Sequence, residues 1–317
     1  MPMPIRLRAT AMVAGLSLAL VPLLAPLTGG SGAGLLPALA QQSQGLKVLR
    51  ISAIPDQKPE KLNRLYPLVA QELSQQLGVT VKYVPMVDYP AAVSAFRTGD
   101  LDLVWFGGLT GVQARLQKSG AKVVAQRDID ASFNSIFIAS TRSGLQPFRQ
   151  QKGLTSLKGR RFTFGSESST SGRLMPQYFL TQAGVKLSDF AGGAPGFSGS
   201  HDATIALVSS GAYDAGVVNE QVWLSSLKDG KANPTKVIAL WKSPGYQDYH
   251  WIAQPNLDQR FGKGFSSRLT KAILAWRPSD PKQKQILELF GAQKFVPASA
   301  SSYGRIEQVG RQIGKIR

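Results

Sequence analysis

The 317-residue sequence contains no cysteine, which excludes structural disulfides, thiolate nucleophiles, Cys-based zinc sites and iron–sulfur clusters. Histidine is almost as scarce. With only His201 and His250, a His-rich metal centre is excluded, and the residues present call for no cofactor. Acidic side chains are in short supply too, 19 Asp and Glu against 37 Lys and Arg, for a formal charge of +18. The basic residues are scattered and form none of the usual nucleic-acid-binding motifs. They describe a solvated surface that attracts anions generally, with no nucleic-acid partner implied. Beyond residue 40 no stretch is apolar enough to span a bilayer. What is present in quantity is apolar side chain, 43% of the chain, enough for the cores of two domains.

Residues 1–40 read as an export signal. Arg6 and Arg8 make a basic start, an apolar run from Ala9 to Leu27 follows, and Ala38-Leu39-Ala40 offers a small-x-small cleavage site. Pro22 and Pro26 interrupt the run and argue against an uncleaved anchor. Losing two arginines and no acid takes the mature chain from +18 to +16. Without a cysteine for lipid attachment, the expected product is free in the periplasm.

From residue 46 onward strand and helix patterns alternate. Leu46 to Ile54, Val79 to Val84, Leu101 to Phe106 and Ala121 to Gln126 read as strands, separated by helices at 61–77, 89–97 and 110–118. This order predicts a largely parallel sheet covered on both faces. After the polar stretch 140–157 a second set begins: strand 161–165, helix 170–183, helix 204–210, strand 213–219 and helix 220–228. Strands at 237–240 and 250–253 read as a return to the first lobe, and three helices finish the chain. The expected partition is 41–140 with 237–317 in lobe 1 and 141–236 in lobe 2, an α/β architecture with a cleft between the lobes. Ligands of open α/β sheets lie outside the carboxyl ends of strands, where the chemically suggestive loops fall.

The first such loop is Gly165-Ser-Glu-Ser-Ser-Thr-Ser-Gly172, between a strand and a helix. Ser169, Thr170 and Ser171 are more hydroxyls than one cap needs, and free N–H groups at a helix start hold anions. It lacks the Gly-Lys-Ser/Thr ending of a P-loop. The second, Trp105-Phe-Gly-Gly-Leu-Thr-Gly111, has Gly107 and Gly108 for close backbone approach and Phe106 to wall a pocket, or alternatively to fill the core. The third is Ser198-Gly-Ser-His-Asp202, where His201 is either a donor to an anion or structural. Glu220, after Val218-Asn219, either points into the cleft or starts the next helix. Asp248 and Tyr249 present the same choice.

Taken in order, these segments resemble the substrate-binding proteins of phosphonate-type ABC transporters, the PhnD-like family. The matching residues are Ile54-Pro-Asp56, Tyr66-Pro67, Asp102-Leu-Val-Trp-Phe-Gly107, Ser169-Thr-Ser-Gly172 with Pro176, Ser200-His-Asp202, Tyr213-Asp-Ala-Gly216 and Phe295-Val-Pro297 before Tyr303. The resemblance implies a type II periplasmic-binding-protein fold with a double-crossing hinge. It also implies an oxyanion head held by Ser169, Thr170, Ser171 and His201, with Asp56 and Tyr249 on ligand-facing loops. Glu220, or Asp248, would meet the amine of an aminoalkylphosphonate. The implied partners are an inner-membrane permease with its ATPase, and the protein itself is expected to be a monomer and not an enzyme. One departure widens the ligand: the family commonly has Gly-Pro-x-x-Tyr where this chain has Gly107-Gly-Leu-Thr-Gly111, a form that resembles a branch assigned to selenate. Phosphonate, phosphite, phosphate and selenate are the expected candidates. A receptor-docking sensor and a hydrolase using His201 are the alternative roles, the latter weakened by the lack of a Gly-x-Ser-x-Gly elbow.

Overall fold

The computed structural model describes residues 47–317, so the export signal expected over 1–40 lies outside the described residues. The chain runs β1 (Val48–Ala53), α1 (Pro59–Leu77), β2 (Thr80–Tyr83), α2 (Tyr89–Thr98), β3 (Leu103–Phe106), α3 (Gly108–Gln117) and β4 (Lys122–Arg127). It then continues through β5 (Ser135–Ser140), β6 (Phe162–Phe164), α4 (Met175–Gln182), β7 (Gly196–Phe197), α5 (His201–Ser210), β8 (Ala215–Asn219), α6 (Glu220–Lys228) and β9 (Val237–Lys242). The last part is β10 (His250–Ala253), α7 (Leu257–Phe261), α8 (Phe265–Leu274), α9 (Pro281–Phe290), β11 (Phe295–Val296) and α10 (Gly304–Gln312). Among the described residues no helix is long and apolar enough to cross a membrane.

Two mixed sheets carry the lobes. The first has the order β11-β4-β10-β3-β1-β2 and the second β7-β6-β8-β5-β9. In the first, β1 pairs in parallel with β2 and β3, as the strand–helix alternation predicts, but β10 inserts antiparallel between β3 and β4. The inserted strand returns from the second lobe with no crossover helix, so it can only enter antiparallel. In the second sheet β5 pairs antiparallel with both β8 and β9.

This pairing corrects the lobe partition expected from sequence. Ser135–Ser140 and Val237–Lys242 belong to the second sheet, not the first. The chain therefore crosses between lobes at 128–134 and 243–249, about six residues inside the expected boundaries at 140 and 237. β5, Ser-Ile-Phe-Ile-Ala-Ser, is buried along its whole length, and a fully buried strand shows no alternation by which to recognise it. The two crossings bind each other as an antiparallel pair. Phe133 N–H donates to Tyr246 O at 2.8 Å and Tyr246 N–H donates to Phe133 O at 3.0 Å. Asn134 Nδ2 adds a bond to Ser243 O at 2.7 Å.

Local chemistry explains the helix starts that matter for function. Ser200 Oγ accepts from Ala203 N–H and caps α5, and Asn219 Oδ1 accepts from Val222 N–H and caps α6. The segment before α4 is different. Thr170–Leu174 forms a π turn, capped by Ser169 Oγ, which accepts from Gly172 N–H at 2.9 Å. Pro176 accounts for the widened turn: it has no N–H to give the Gly172 carbonyl, and its ring would collide with that carbonyl in an α-helix. Gly172 O instead accepts from Gly165 N–H at 3.0 Å, tying the hydroxyl loop to the end of β6.

Gly111, where the family's phenol would stand, packs directly on the buried His250 ring. A Cβ there would lie 2.3 Å from His250 Cε1. His250 cannot retreat, because it stacks on Tyr303 at 3.8 Å and its Nδ1 sits 3.1 Å from Asp248 O. Gly111→Ala is therefore expected to lower unfolding stability by about 1–3 kcal/mol, the usual cost of overpacking. Chemical denaturation measures this directly, and an unchanged midpoint would show that the ring has room to move.

Candidate functional site

The loops at the carboxyl ends of the strands meet where the lobes close on each other. Asp56 follows β1 and Tyr89 opens α2 in the first lobe. Ser169, Thr170, Ser171, His201 and Asn219 come from the second, and Asp248 and Tyr249 from the second hinge crossing. All of them are buried, none more than 4% exposed. Three of their polar atoms have no hydrogen-bond partner: Tyr89 Oη, Ser171 Oγ and Asp248 Oδ2. Buried polar atoms are nearly always paired, so three orphans in one cluster make it the candidate place for a polar ligand.

The donors are fixed by their surroundings. His201 is completely enclosed, and burial pushes its pKa down to about 3, so the imidazole is neutral. Its Nδ1 accepts from Asn219 N–H at 3.3 Å, which puts the ring proton on Nε2. That nitrogen faces Tyr249 Oη at 3.5 Å, and Asn219 Nδ2 donates to the same hydroxyl at 3.0 Å. With its oxygen already accepting, the Tyr249 hydroxyl has its own proton to offer. Tyr89 lies beside Ser169, and burial raises its phenol far above the ordinary value, keeping it a donor. The first turn after Ser169 adds backbone N–H groups of Thr170 and Ser171 that have no intrahelical acceptor. Every donor in this set is neutral.

Two carboxyl groups stand among them. Asp248 Oδ1 accepts from Gly108 N–H at 2.9 Å, capping α3 from across the crossing segment. Burial pushes its pKa up to about 7, partly offset by the Gly108 N–H and by the Thr170 and Ser171 hydroxyls beside the carboxyl, with Asp130 nearby adding to the rise. Burial likewise raises Asp56 to about 6, while the neighbouring Tyr249 hydroxyl acts in the opposite direction. Both acids thus titrate close to neutrality, as groups handling a proton do.

The lobes are held shut around this cluster. His201 N–H donates to Asp56 O at 3.1 Å, and Lys58 N–H donates to Asp202 Oδ2 at 2.9 Å. Leu109 N–H of α3 donates to Thr170 Oγ1 at 2.9 Å. On the far side Lys315 pairs with Glu167 at 3.2 Å, and Arg305 lies over the Tyr178 ring.

Several expected positions prove to have other roles. Phe106 is core: its ring meets Phe96 edge-on at 5.7 Å, on the face of β3 opposite Trp105, and does not reach the cluster. Glu220 starts α6 and pairs with Lys242 on the rim of a separate interlobe cavity of about 840 Å³, so it does not enter the buried cluster. Gly107 and Gly108 are needed for packing, since a Cβ at Gly107 would lie 3.1 Å from Thr170 Oγ1 and one at Gly108 3.1 Å from Gln247 O. Their approach lets Asp248 cap α3. Asp56, Ser169, Thr170, Ser171, His201 and Tyr249 do come together, and Asp248 joins them. Tyr89 and Asn219 carried no signal in sequence. Tyr89-Pro90 reads as an ordinary helix start, and only the fold brings its phenol opposite the hydroxyl loop.

Comparison with known proteins places this geometry. Residues 51–303 match the family model for phosphonate ABC transporter periplasmic substrate-binding proteins. A probable ABC transporter phosphite binding protein, PhnD1, of Prochlorococcus marinus is 53% identical over 271 residues, covering 86% of this chain and 91% of that one. The structure of PhnD1 from that organism in complex with methylphosphonate superposes with a TM-score of 0.84 at 52% identity, over 85% of this chain and 99% of that one. The binding-protein component of an ABC phosphonate transporter from Pseudomonas aeruginosa shares the fold, with a TM-score of 0.71 at 20% identity over 83% and 85% of the two chains. The chain belongs to the family of periplasmic substrate-binding proteins of phosphonate-type ABC transporters.

Proposed function

We propose that this protein captures a small, singly protonated phosphorus oxyanion, phosphite or methylphosphonate, and presents it to an inner-membrane permease driven by its ATPase. The observation that carries the reading is Asp248 Oδ2, a buried acceptor without a partner, standing among donors that are all neutral. While Asp248 is ionised, above about pH 7, a fully deprotonated tetrahedral anion such as sulfate or selenate offers that oxygen nothing but lone pairs. A phosphorus oxyanion that still carries one proton donates it to Asp248 and accepts from Ser171, Tyr89 and Tyr249, whose hydroxyl oxygen is held by His201 Nε2–H. The 53% identical phosphite-binding relative and the methylphosphonate complex of the same protein support this ligand class. The enclosure of the cluster favours a hydrogen or methyl substituent over a long aminoalkyl chain.

Binding and not turnover fits the arrangement. The His201 Nε2 faces a phenol and not a serine hydroxyl, so the histidine activates no nucleophile. Desolvating the anion is offset by charge-assisted hydrogen bonds of roughly 1.5–3 kcal/mol each in a closed cleft. Closure then reports occupancy to the permease. The signal sequence expected over 1–40 would deliver the chain, after cleavage near Ala40, to the periplasm, where this family works.

A thermal-shift panel tests the ligand. At a pH well above 7, where Asp248 is ionised, phosphite and methylphosphonate at 100 times Kd are expected to add about 2.7 kcal/mol of stability, with no response to sulfate or selenate. A response led by selenate would overturn the assignment. Ser171→Ala and Tyr89→Phe are each expected to weaken methylphosphonate binding roughly 10- to 100-fold in calorimetry, one charge-assisted bond apiece, while the fold is retained. Undiminished titration heats and affinities would remove those residues from the site.

The Asp248 pKa gives a stability test with a definite sign. Its folded value of about 7 lies above the unfolded value of about 3.9, so its neutral form contributes stability present below about pH 4 and lost as pH rises through 7. Asp248→Asn lacks this loss. The ligand-free variant should gain on the parent by up to about 1.4 kcal/mol per pH unit between pH 4 and 7. Groups common to both proteins, His201 included, cancel in the difference. A pH-independent difference would mean that Asp248 is ionised throughout.

A further inference from the structure

Beneath the oxyanion cluster, packed against Tyr249 and Asp248, lies a buried ion pair. Arg127, the last residue of β4, is 4% exposed and Asp130 is fully buried. The guanidinium grips the Asp130 carboxylate with two bonds of 2.7 Å, from Nε and Nη2, and its Nη1 donates to Phe290 O at 2.7 Å. Three aromatic rings box it in: Trp105 at 5.4 Å, Phe133 at 5.3 Å and Tyr249 at 4.9 Å. Two of those rings, Phe133 and Tyr249, lie one on each hinge crossing, and the third, Trp105, stacks on Tyr249 at 5.8 Å with 13° between the planes. Asp130 completes the connection, because its carbonyl accepts from Asp248 N–H at 3.1 Å.

The arrangement exceeds what a stable core requires. Removing an arginine and an aspartate from water is costly, and a buried pair is often replaced by apolar residues without loss of stability. What apolar residues cannot reproduce is the geometry. One planar cation fixes the ring of Tyr249, and its partner fixes the backbone of Asp248, the two ligand-facing residues supplied by the second crossing. Arginine suits the task, since its rigid fork binds the carboxylate with two donors while its faces stack on the rings.

We propose that Arg127, through its pair with Asp130, is a positioning residue for oxyanion binding, orienting the Tyr249 hydroxyl and the Asp248 carboxyl and tying both to the hinge. The proposal rests on the reading of the cluster as an oxyanion site. The chain thus has a specificity determinant one layer behind the ligand, outside every loop that carries a recognisable motif.

The test is a double-mutant cycle read by calorimetry with methylphosphonate. In the parent background, the paired substitution Arg127→Met with Asp130→Leu, which removes both charges together, should leave a cooperatively folded protein that binds at least 10-fold more weakly. In a Tyr249→Phe background the same paired change should cost at least 3-fold less than in the parent, because one of the two groups it positions is already gone. Arg127→Lys, which keeps the charge but not the fork, should fall between parent and paired variant. Equal losses in both backgrounds, undiminished affinity of the paired variant, or a lysine variant as good as the parent would each overturn the positioning role. A parent protein that fails to bind methylphosphonate would instead count against the oxyanion reading itself.

Discussion

The hydrogen bond from Gly108 N–H to Asp248 Oδ1 organises much of what surrounds it. It joins the second hinge crossing to the first turn of α3, and so uses the helix end that would otherwise be free to hold an anion. Its geometry favours glycine at 107 and 108, because a Cβ there would press on Thr170, Asp248 and the backbone at Gln247. It leaves the second carboxylate oxygen buried, unpaired and aimed among neutral donors. A group in that state cannot accept an anion unless a proton lies between them. On the proposed reading, the chemistry of the ligand follows from a structural bond within the protein.

Closure and recognition share the same atoms. Thr170 Oγ1 receives Leu109 N–H across the cleft while Thr170 begins the turn that offers N–H groups to the ligand. The His201 backbone N–H bonds Asp56 O in the opposite lobe while its ring, held neutral by burial, presents Nε2–H. Shutting the cleft thus assembles the donor set and excludes water in one step, which strengthens each bond by lowering the local dielectric. The Lys315–Glu167 pair at the far flank, with Glu167 exposed, contributes little to holding the lobes together.

Much of this was legible in the sequence, and the exceptions have physical reasons. The alternation of strands and helices gave the α/β class, and the hydroxyl run at 169–171 stood out because it exceeded the needs of a cap. β5 was hidden because burial on both faces erases the alternation that marks a strand. The antiparallel entry of β10 could not be read locally, since pairing partners lie more than a hundred residues apart. Phe106 was left open between pocket wall and core for a related reason: Trp105 and Phe106 are adjacent apolar residues pointing to opposite faces, and only the fold decides which face looks toward the site. Glu220 resembled a ligand partner because it ends a cleft strand, but Lys242, distant in sequence, claims its carboxylate. In the proposed site the phenols come from elsewhere, Tyr89 and Tyr249, while His250 fills the space beside Gly111.

The central claim is that one proton lies between Asp248 and the bound oxyanion. Proton linkage measures it most directly, by calorimetric titration of methylphosphonate in buffers of differing ionisation enthalpy, at a pH where the free ligand is a dianion and Asp248 is ionised. The account requires uptake of about one proton per ligand bound, with the uptake abolished in Asp248→Asn. Binding of undiminished affinity with no proton taken up would place a dianion directly against the carboxylate and contradict it.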